Sequence, residues 1–160
     1  MILNKNLKNI LLVIFATLIL SACSTAKKSG NVDGDVYTGK ETVEYLASGV
    51  PDRVFFATNK SSLTTAARET LRKQATYLRK NKNLNVTIEG HADERGTRDY
   101  NLALSAKRAQ VSLSYLESLG IQGDRIETMP YGKERPVAAC ASEACWSQNR
   151  RASSVVVTDQ

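Results

Sequence analysis

Asn85-Val86-Thr87-Ile88-Glu89-Gly90-His91-Ala92-Asp93-Glu94-Arg95-Gly96-Thr97 passes from one structural periodicity to another without a break. Up to Gly90, apolar and polar residues alternate, so Val86 and Ile88 face a core while Thr87 and Glu89 face away, as in a half-buried strand. A polar loop over residues 91–97 follows. Beyond it Leu102, Ala106, Ala109, Leu113 and Leu116 step by four, three, four and three, which predicts a helix with those residues as its core stripe. Gly120 stands at a plausible C′ position to stop it.

The same grammar extends to both sides. Upstream, Val54-Phe55-Phe56 reads as a short buried strand, and Thr64 can cap a helix in which Ala67, Leu71, Ala75 and Leu78 recur until Asn81 and Asn83 end the run. Downstream, residues 126–131 suggest a third strand, residues 142–149 a short helix, and Val155, Val156 and Val157 part of a last strand. No internal repeat is visible. The order strand, helix, strand, helix, strand, short helix, strand predicts an α+β fold: a two-layer sandwich with both long helices on one face of a mixed sheet.

The N-terminus carries a different signal. Lys5 and Lys8 precede an apolar run at residues 10–20, too short to span a bilayer comfortably, and the run ends in Leu20-Ser21-Ala22-Cys23. These four residues resemble the lipobox of bacterial lipoproteins, in which the cysteine sulfur receives a diacylglyceryl group. The expectation is a signal peptide over residues 1–22, a mature chain starting at lipidated Cys23, and anchoring by acyl chains with no transmembrane helix. An ordinary secretory signal or an uncleaved anchor helix is the alternative. Ser24 stands where an Asp is the usual signal for retention in the inner membrane, which favours the outer one.

Residues 23–52 read as a tether, polar and small at first and then interrupted by Gly34, Gly39 and Gly49. A flexible chain of that length has an end-to-end distance of about 30 Å and a stretched limit near ~95 Å. Residues 53–160 are left as one ordinary domain. That part is basic, with seventeen Lys and Arg against eleven Asp and Glu. The charges are scattered, aromatic residues are few and no nucleic-acid motif is present, so nucleic acid is not the expected partner. Arg68, Arg72, Lys73, Arg79, Lys80 and Lys82 read as the solvated face of a helix. Cys140 and Cys145, in an exported chain with the sole histidine, His91, far away in sequence, suit a small local disulfide better than a zinc site, two free thiols being the alternative. No metal or other cofactor is expected.

On the second helix Asn101, Leu104 and Arg108 are spaced by three and four and share a stripe that can face the preceding loop, where Asp93 lies. Asp93 and Arg108 could then line one cleft, offering one negative and one positive group to a ligand that carries both, such as a free amino-acid centre. On spacing alone, an ordinary salt bridge between loop and helix is the alternative.

Gly90-His91-Ala92-Asp93-Glu94-Arg95-Gly96-Thr97, Tyr100-Asn101, Leu104-Ser105, Arg108-Ala109, Tyr131-Gly132-Lys133-Glu134-Arg135-Pro136 and Asn149-Arg150-Arg151 closely resemble the OmpA-like peptidoglycan-binding domain, over about residues 53–158. With the lipobox and tether, the whole chain is similar to the lipoproteins of the Tol-Pal system that carry this domain. The resemblance implies a binding module, not an enzyme, that ties the outer membrane to peptidoglycan non-covalently and takes part in cell division and envelope integrity. The domain would face the periplasm and hold the far end of meso-diaminopimelate in a wall stem peptide, its ammonium on Asp93 and its carboxylate on Arg108. Asn101 and Leu104 match further pocket positions; His91 is expected as a hydrogen-bonding loop residue, and Asn149 and Arg150 as braces near the last strand. TolB and the other Tol proteins are the implied partners, TolB competing with the wall for an overlapping surface. Where many members carry an acidic Phe-x-x-Asp-Lys segment, this chain has Phe56-Ala57-Thr58-Asn59-Lys60, so Phe56 and Asn59 are candidate pocket residues without that charge. The Cys140 to Cys145 pair also departs from the common pattern. Two alternatives are an envelope anchor of the same fold outside Tol-Pal, and a wall hydrolase using Asp93 and Glu94 or His91 as acid and base.

Overall fold

Residues 44–46 and 49–157 are described by the computed structural model. The expected signal peptide, Cys23 and the first part of the tether lie outside them. Five strands follow in chain order: β1 (Glu44–Tyr45), β2 (Arg53–Phe55), β3 (Asn85–His91), β4 (Ile126–Gly132) and β5 (Arg151–Val157). Helix α1 (Thr65–Lys80) lies between β2 and β3, α2 (Arg98–Ser118) between β3 and β4, and α3 (Glu143–Asn149) before β5. The sheet is mixed. β3 runs parallel to β4 and antiparallel to β5, whose other edge takes β1 and β2, both antiparallel.

The predicted order is therefore the order found, with one addition. Glu44 and Tyr45, which composition assigns to the tether, pair with Val156 and Val155, and Leu46 is buried in the core. Two residues on an edge strand offer no period to read.

Helix α1 forms where its stripe predicts. Thr64 accepts from the Ala67 amide at 3.1 Å, the Asn81 side chain donates to the Tyr77 carbonyl at 2.9 Å, and Ala67, Leu71, Ala75 and Leu78 are buried. The six basic residues from Arg68 to Lys82 are exposed. Gln74, polar on paper, is also buried. It donates to the Pro51 carbonyl and accepts from Ser154 Oγ, joining helix, loop and sheet.

Helix α2 departs from its predicted stripe. Ala109 and Leu116 are buried as expected, but Leu102 is 44% exposed, and Ala106 and Leu113 are only partly covered. The inward face is Asn101, Leu104, Ser105, Arg108, Ala109, Ser112 and Leu116. Hydropathy misplaces it because these polar groups bury with their hydrogen bonds made: Ser105 Oγ donates to the Leu102 carbonyl and accepts from the Gly132 amide, and Ser112 Oγ donates to the Arg108 carbonyl.

Small side chains on that face let α2 lie directly on β3. A methyl at Gly90 would stand 2.0 Å from the Ser105 carbonyl oxygen and 3.3 Å from Ala109 Cβ. Gly90→Ala must therefore push helix from strand. A loss of ~3 kcal/mol in urea unfolding is the expected result, and a loss below a few tenths would show that the two elements part freely.

Candidate functional site

Asp93 sits two residues past β3, in a loop tied down from several directions. The Ala92 amide donates to the Gly132 carbonyl at 2.7 Å, Lys133 Nζ donates to the Glu94 and Gly96 carbonyls, and Asn101 Nδ2 donates to the Arg95 carbonyl at 2.8 Å. Gly96 takes φ +89°, a left-handed turn that a side chain would strain, and Thr97 then caps α2 by accepting from the Tyr100 amide.

The Asp93 carboxylate accepts four hydrogen bonds. Oδ1 takes the Arg95 amide at 3.1 Å and Arg95 Nε at 3.2 Å, while Oδ2 takes Arg95 Nη2 at 2.6 Å and Arg150 Nη1 at 3.3 Å. Burial works against its charge, yet the hydrogen bonds from Arg95 and Arg150 outweigh burial and hold its pKa below the ordinary 3.8. Asp93 is an ionised acceptor, already occupied by a cation of its own chain.

Arg108 is fully buried, and among the described residues its guanidinium makes no ion pair. Nε donates to the Lys60 carbonyl at 3.0 Å, Nη1 to His91 O at 2.8 Å and Nη2 to Ala57 O at 3.2 Å, with the Phe56 ring 5.2 Å from Cζ. Burial pulls its pKa down to about 10; the charge of Asp93 opposes the fall and that of Arg150 adds to it. The structure thus brings Asp93 and Arg108 to one place without pairing them. Of the five N–H groups of the guanidinium three are committed, which leaves one on each terminal nitrogen.

Over Arg108 lies the turn formed by residues 57–60, closed by the Lys60 amide on the Ala57 carbonyl, with Asn59 exposed at φ +55°. Phe56 is buried at the start of this turn and Leu104 on α2, while Asn101 serves the loop rather than a cavity. A groove of about 350 Å³ does exist, but it runs between the first turn of α2 (Arg98, Asp99, Leu102) and the end of β4 (Pro130, Tyr131) and includes none of the expected site residues.

Two expectations change in detail. His91 is the last residue of β3, not a loop residue, and neither ring nitrogen has a hydrogen-bond partner; Nε2 lies 3.5 Å from Glu89 Oε2 and the ring stacks on Tyr131 at 5.4 Å. What it gives the site is its backbone carbonyl. Arg150 joins several elements: Nε donates to the Phe56 carbonyl, Nη1 is shared between Asp93 and Glu143, and Nη2 bonds Glu143. Asn149 pins the chain before α3 by accepting from the Val137 and Ala138 amides and donating to the Ala138 carbonyl.

Burial is the main reason the His91 pKa falls below 6.5; Glu89 opposes the fall, and Arg151 and Arg135 add to it. An unfolded imidazole takes its proton near pH 6.5 and the folded one only lower, so protons favour unfolding in that window. Stability is expected to decline as pH drops below 6.5, and His91→Phe to flatten that decline. Because His91 is the only histidine, its ring proton signals report directly; a titration midpoint above 6.5 would reverse the sign.

Sequence reasoning missed Arg95, Glu143 and Trp146. The Arg95 guanidinium lies 4.1 Å from the centre of the Trp146 ring, whose Nε1 donates to Glu94 Oε1 at 3.0 Å. Glu143 opens α3 and Arg150 caps its end, seven residues on, close to two helical turns and legible as a spacing in the sequence. A disulfide joins Cys140 to Cys145 across the start of this helix, with the Cα atoms 5.6 Å apart.

The model of the OmpA family matches residues 55–152. The chain is similar to the peptidoglycan-associated lipoprotein of Rhizobium meliloti, 43% identical over 92% of this chain and 86% of that one. The chain belongs to the OmpA family, among its peptidoglycan-associated lipoproteins. The lipoprotein of that name from Pasteurella multocida is 33% identical over 92% of this chain and 97% of its own. Among solved structures, the peptidoglycan-associated lipoprotein from Burkholderia pseudomallei superposes with a TM-score of 0.65 at 39% identity, over 66% of this chain and 90% of that one. The C-terminal domain of Helicobacter pylori MotB shares the fold alone, at 20% identity and a TM-score of 0.63, over 68% of this chain and 85% of that one.

The wall-hydrolase alternative, with Asp93 and Glu94 or His91 as acid and base, does not fit the geometry. Asp93 is held ionised between two arginines, Glu94 serves the Trp146 indole and His91 is shut beneath Tyr131, so none is poised for proton transfer. Among the described residues no helix is long and apolar enough to cross a membrane.

Proposed function

We propose that this lipoprotein, held in the outer membrane by a lipid on Cys23 and reaching through a tether that ends where β1 joins the sheet at Glu44, binds the diaminopimelate end of wall stem peptides with its OmpA-like domain. The observation that carries this reading is Arg108: a fully buried guanidinium fixed by three carbonyls, with one N–H left on each terminal nitrogen, beside an ionised Asp93. The planar fork suits a carboxylate held in its plane. Asp93 suits the neighbouring ammonium.

Binding then consists of two exchanges. The ligand ammonium takes the place of the Arg95 guanidinium on Asp93, and Arg95 stays on the Trp146 face. The ligand carboxylate takes the place of the Ala57 and Lys60 carbonyls on Arg108 when the exposed turn of residues 57–60 moves aside, while the His91 carbonyl keeps its hold on Nη1. No bond is made or broken, and each exchange replaces one charge-assisted contact by another, which keeps the attachment reversible. The Tol-Pal machinery is the setting in which a reversible attachment serves division, with TolB competing for the same face; an anchor outside that machinery would share the wall site and lack the TolB contact.

Sedimentation of the full chain with isolated sacculi tests the reading. A stem tripeptide ending in diaminopimelate is expected to compete, and the same peptide ending in lysine, which has the far ammonium but no carboxylate beside it, is not. Equal competition by both would remove Arg108 from the site. Comigration with TolB separates the two cellular settings.

A further inference from the structure

The Arg150 guanidinium joins two carboxylates. Nη1 donates to Asp93 Oδ2 at 3.3 Å and to Glu143 Oε2 at 3.3 Å, and Nη2 makes a close contact with Glu143 Oε1. The cation is nearly buried, with 6% of its side chain exposed, whereas the Glu143 side chain is 61% exposed, so the acid stands at the mouth. The two sites are electrically joined, since the Arg95 charge stabilises the Glu143 carboxylate and the Asp93 charge disfavours it.

Asp93 and Arg150 alone would be a neutral pair, with the aspartate serving as counter-ion to a buried guanidinium. Adding Glu143 makes the group net negative, and one further cation then completes it. In the free protein that cation is Arg95. An ammonium that displaces Arg95 meets a negative group only because Glu143 has taken over the charge of Arg150. The turn of residues 57–60 brings no carboxylate to the other wall of the site. Glu143 itself is placed by the first turn of α3, two residues before the disulfide-bonded Cys145.

We infer that Glu143 is a specificity-determining residue: by neutralising Arg150 it reserves Asp93 for a cation, so that the site selects ligands whose amino group is free over the same ligands with that group acylated. This rests on the wall-binding reading and adds to it a residue that need not touch the ligand.

The full chain in detergent micelles is titrated with the diaminopimelate tripeptide, its far amino group either free or acetylated, using emission from Trp146, the only tryptophan, and calorimetry. The unmodified chain is expected to prefer the free amine by roughly thirtyfold, and Glu143→Gln by only about threefold, with affinity for the acetylated peptide nearly unchanged. Glu143→Asp, which keeps the charge, is expected to retain most of the preference. An unchanged preference in Glu143→Gln overturns the inference. Equal weakening toward both peptides also overturns it and leaves Glu143 as a brace. If the unmodified chain binds neither peptide, the wall-binding reading fails first and this one with it.

Discussion

Replacing Arg108 by alanine is expected to lower the melting temperature by roughly 10–20 °C and to abolish sedimentation with sacculi. The two effects share one cause. The guanidinium, carried on α2, links β3, through the His91 carbonyl, to the turn before α1, through the Ala57 and Lys60 carbonyls. Alanine removes one donor from each of three carbonyls, of which Ala57 keeps the Lys60 amide, and leaves a cavity beside Phe56, a cost of about 3–5 kcal/mol. Arg108→Lys separates stability from recognition: an ammonium keeps the charge and can satisfy some of these carbonyls, but it has no planar fork to give a carboxylate. Lysine is expected to recover part of the melting temperature and little of the binding. Full recovery of both would show that charge alone is needed, and the bidentate grip would have to be given up.

How far the sequence could be read depended on what each residue buries. Val86, Ile88, Leu71 and Leu78 are apolar and buried, so periodicity finds β3 and α1 within a residue or so. Leu102 misleads because burial on α2 belongs to Ser105, Arg108 and Ser112, whose partners are backbone groups on neighbouring elements or the preceding turn; hydropathy scores a side chain and knows nothing of a carbonyl waiting for it. The same limit applies to the site. Spacing puts Asp93 and Arg108 near each other, and the resemblance names them, yet neither shows that Arg95 folds back onto Asp93, because a two-residue loop contact depends on the turn at Gly96. Arg150 meets Asp93 across 57 residues of chain, a contact no local pattern contains.

Asp93→Asn is the complementary change, and its expected result is a loss of about a hundredfold in wall affinity, some 2–3 kcal/mol, with the fold retained. Asparagine preserves the shape and one acceptor oxygen but removes the charge that both Arg95 and an incoming ammonium require. The fold is retained because Arg150 keeps Glu143 and the Phe56 carbonyl as partners. Acid pH supplies an independent check. The folded pKa of Asp93 lies below the unfolded 3.8, so its contribution to stability is fully present above that value and disappears as pH falls through the lower one. The difference in melting temperature between the two proteins is therefore expected to stay constant from pH 8 to pH 5 and to shrink only below about pH 4. A difference that already closes between pH 7 and pH 5 would mean that Asp93 titrates high, in an uncharged pocket, and could not hold an ammonium at neutral pH.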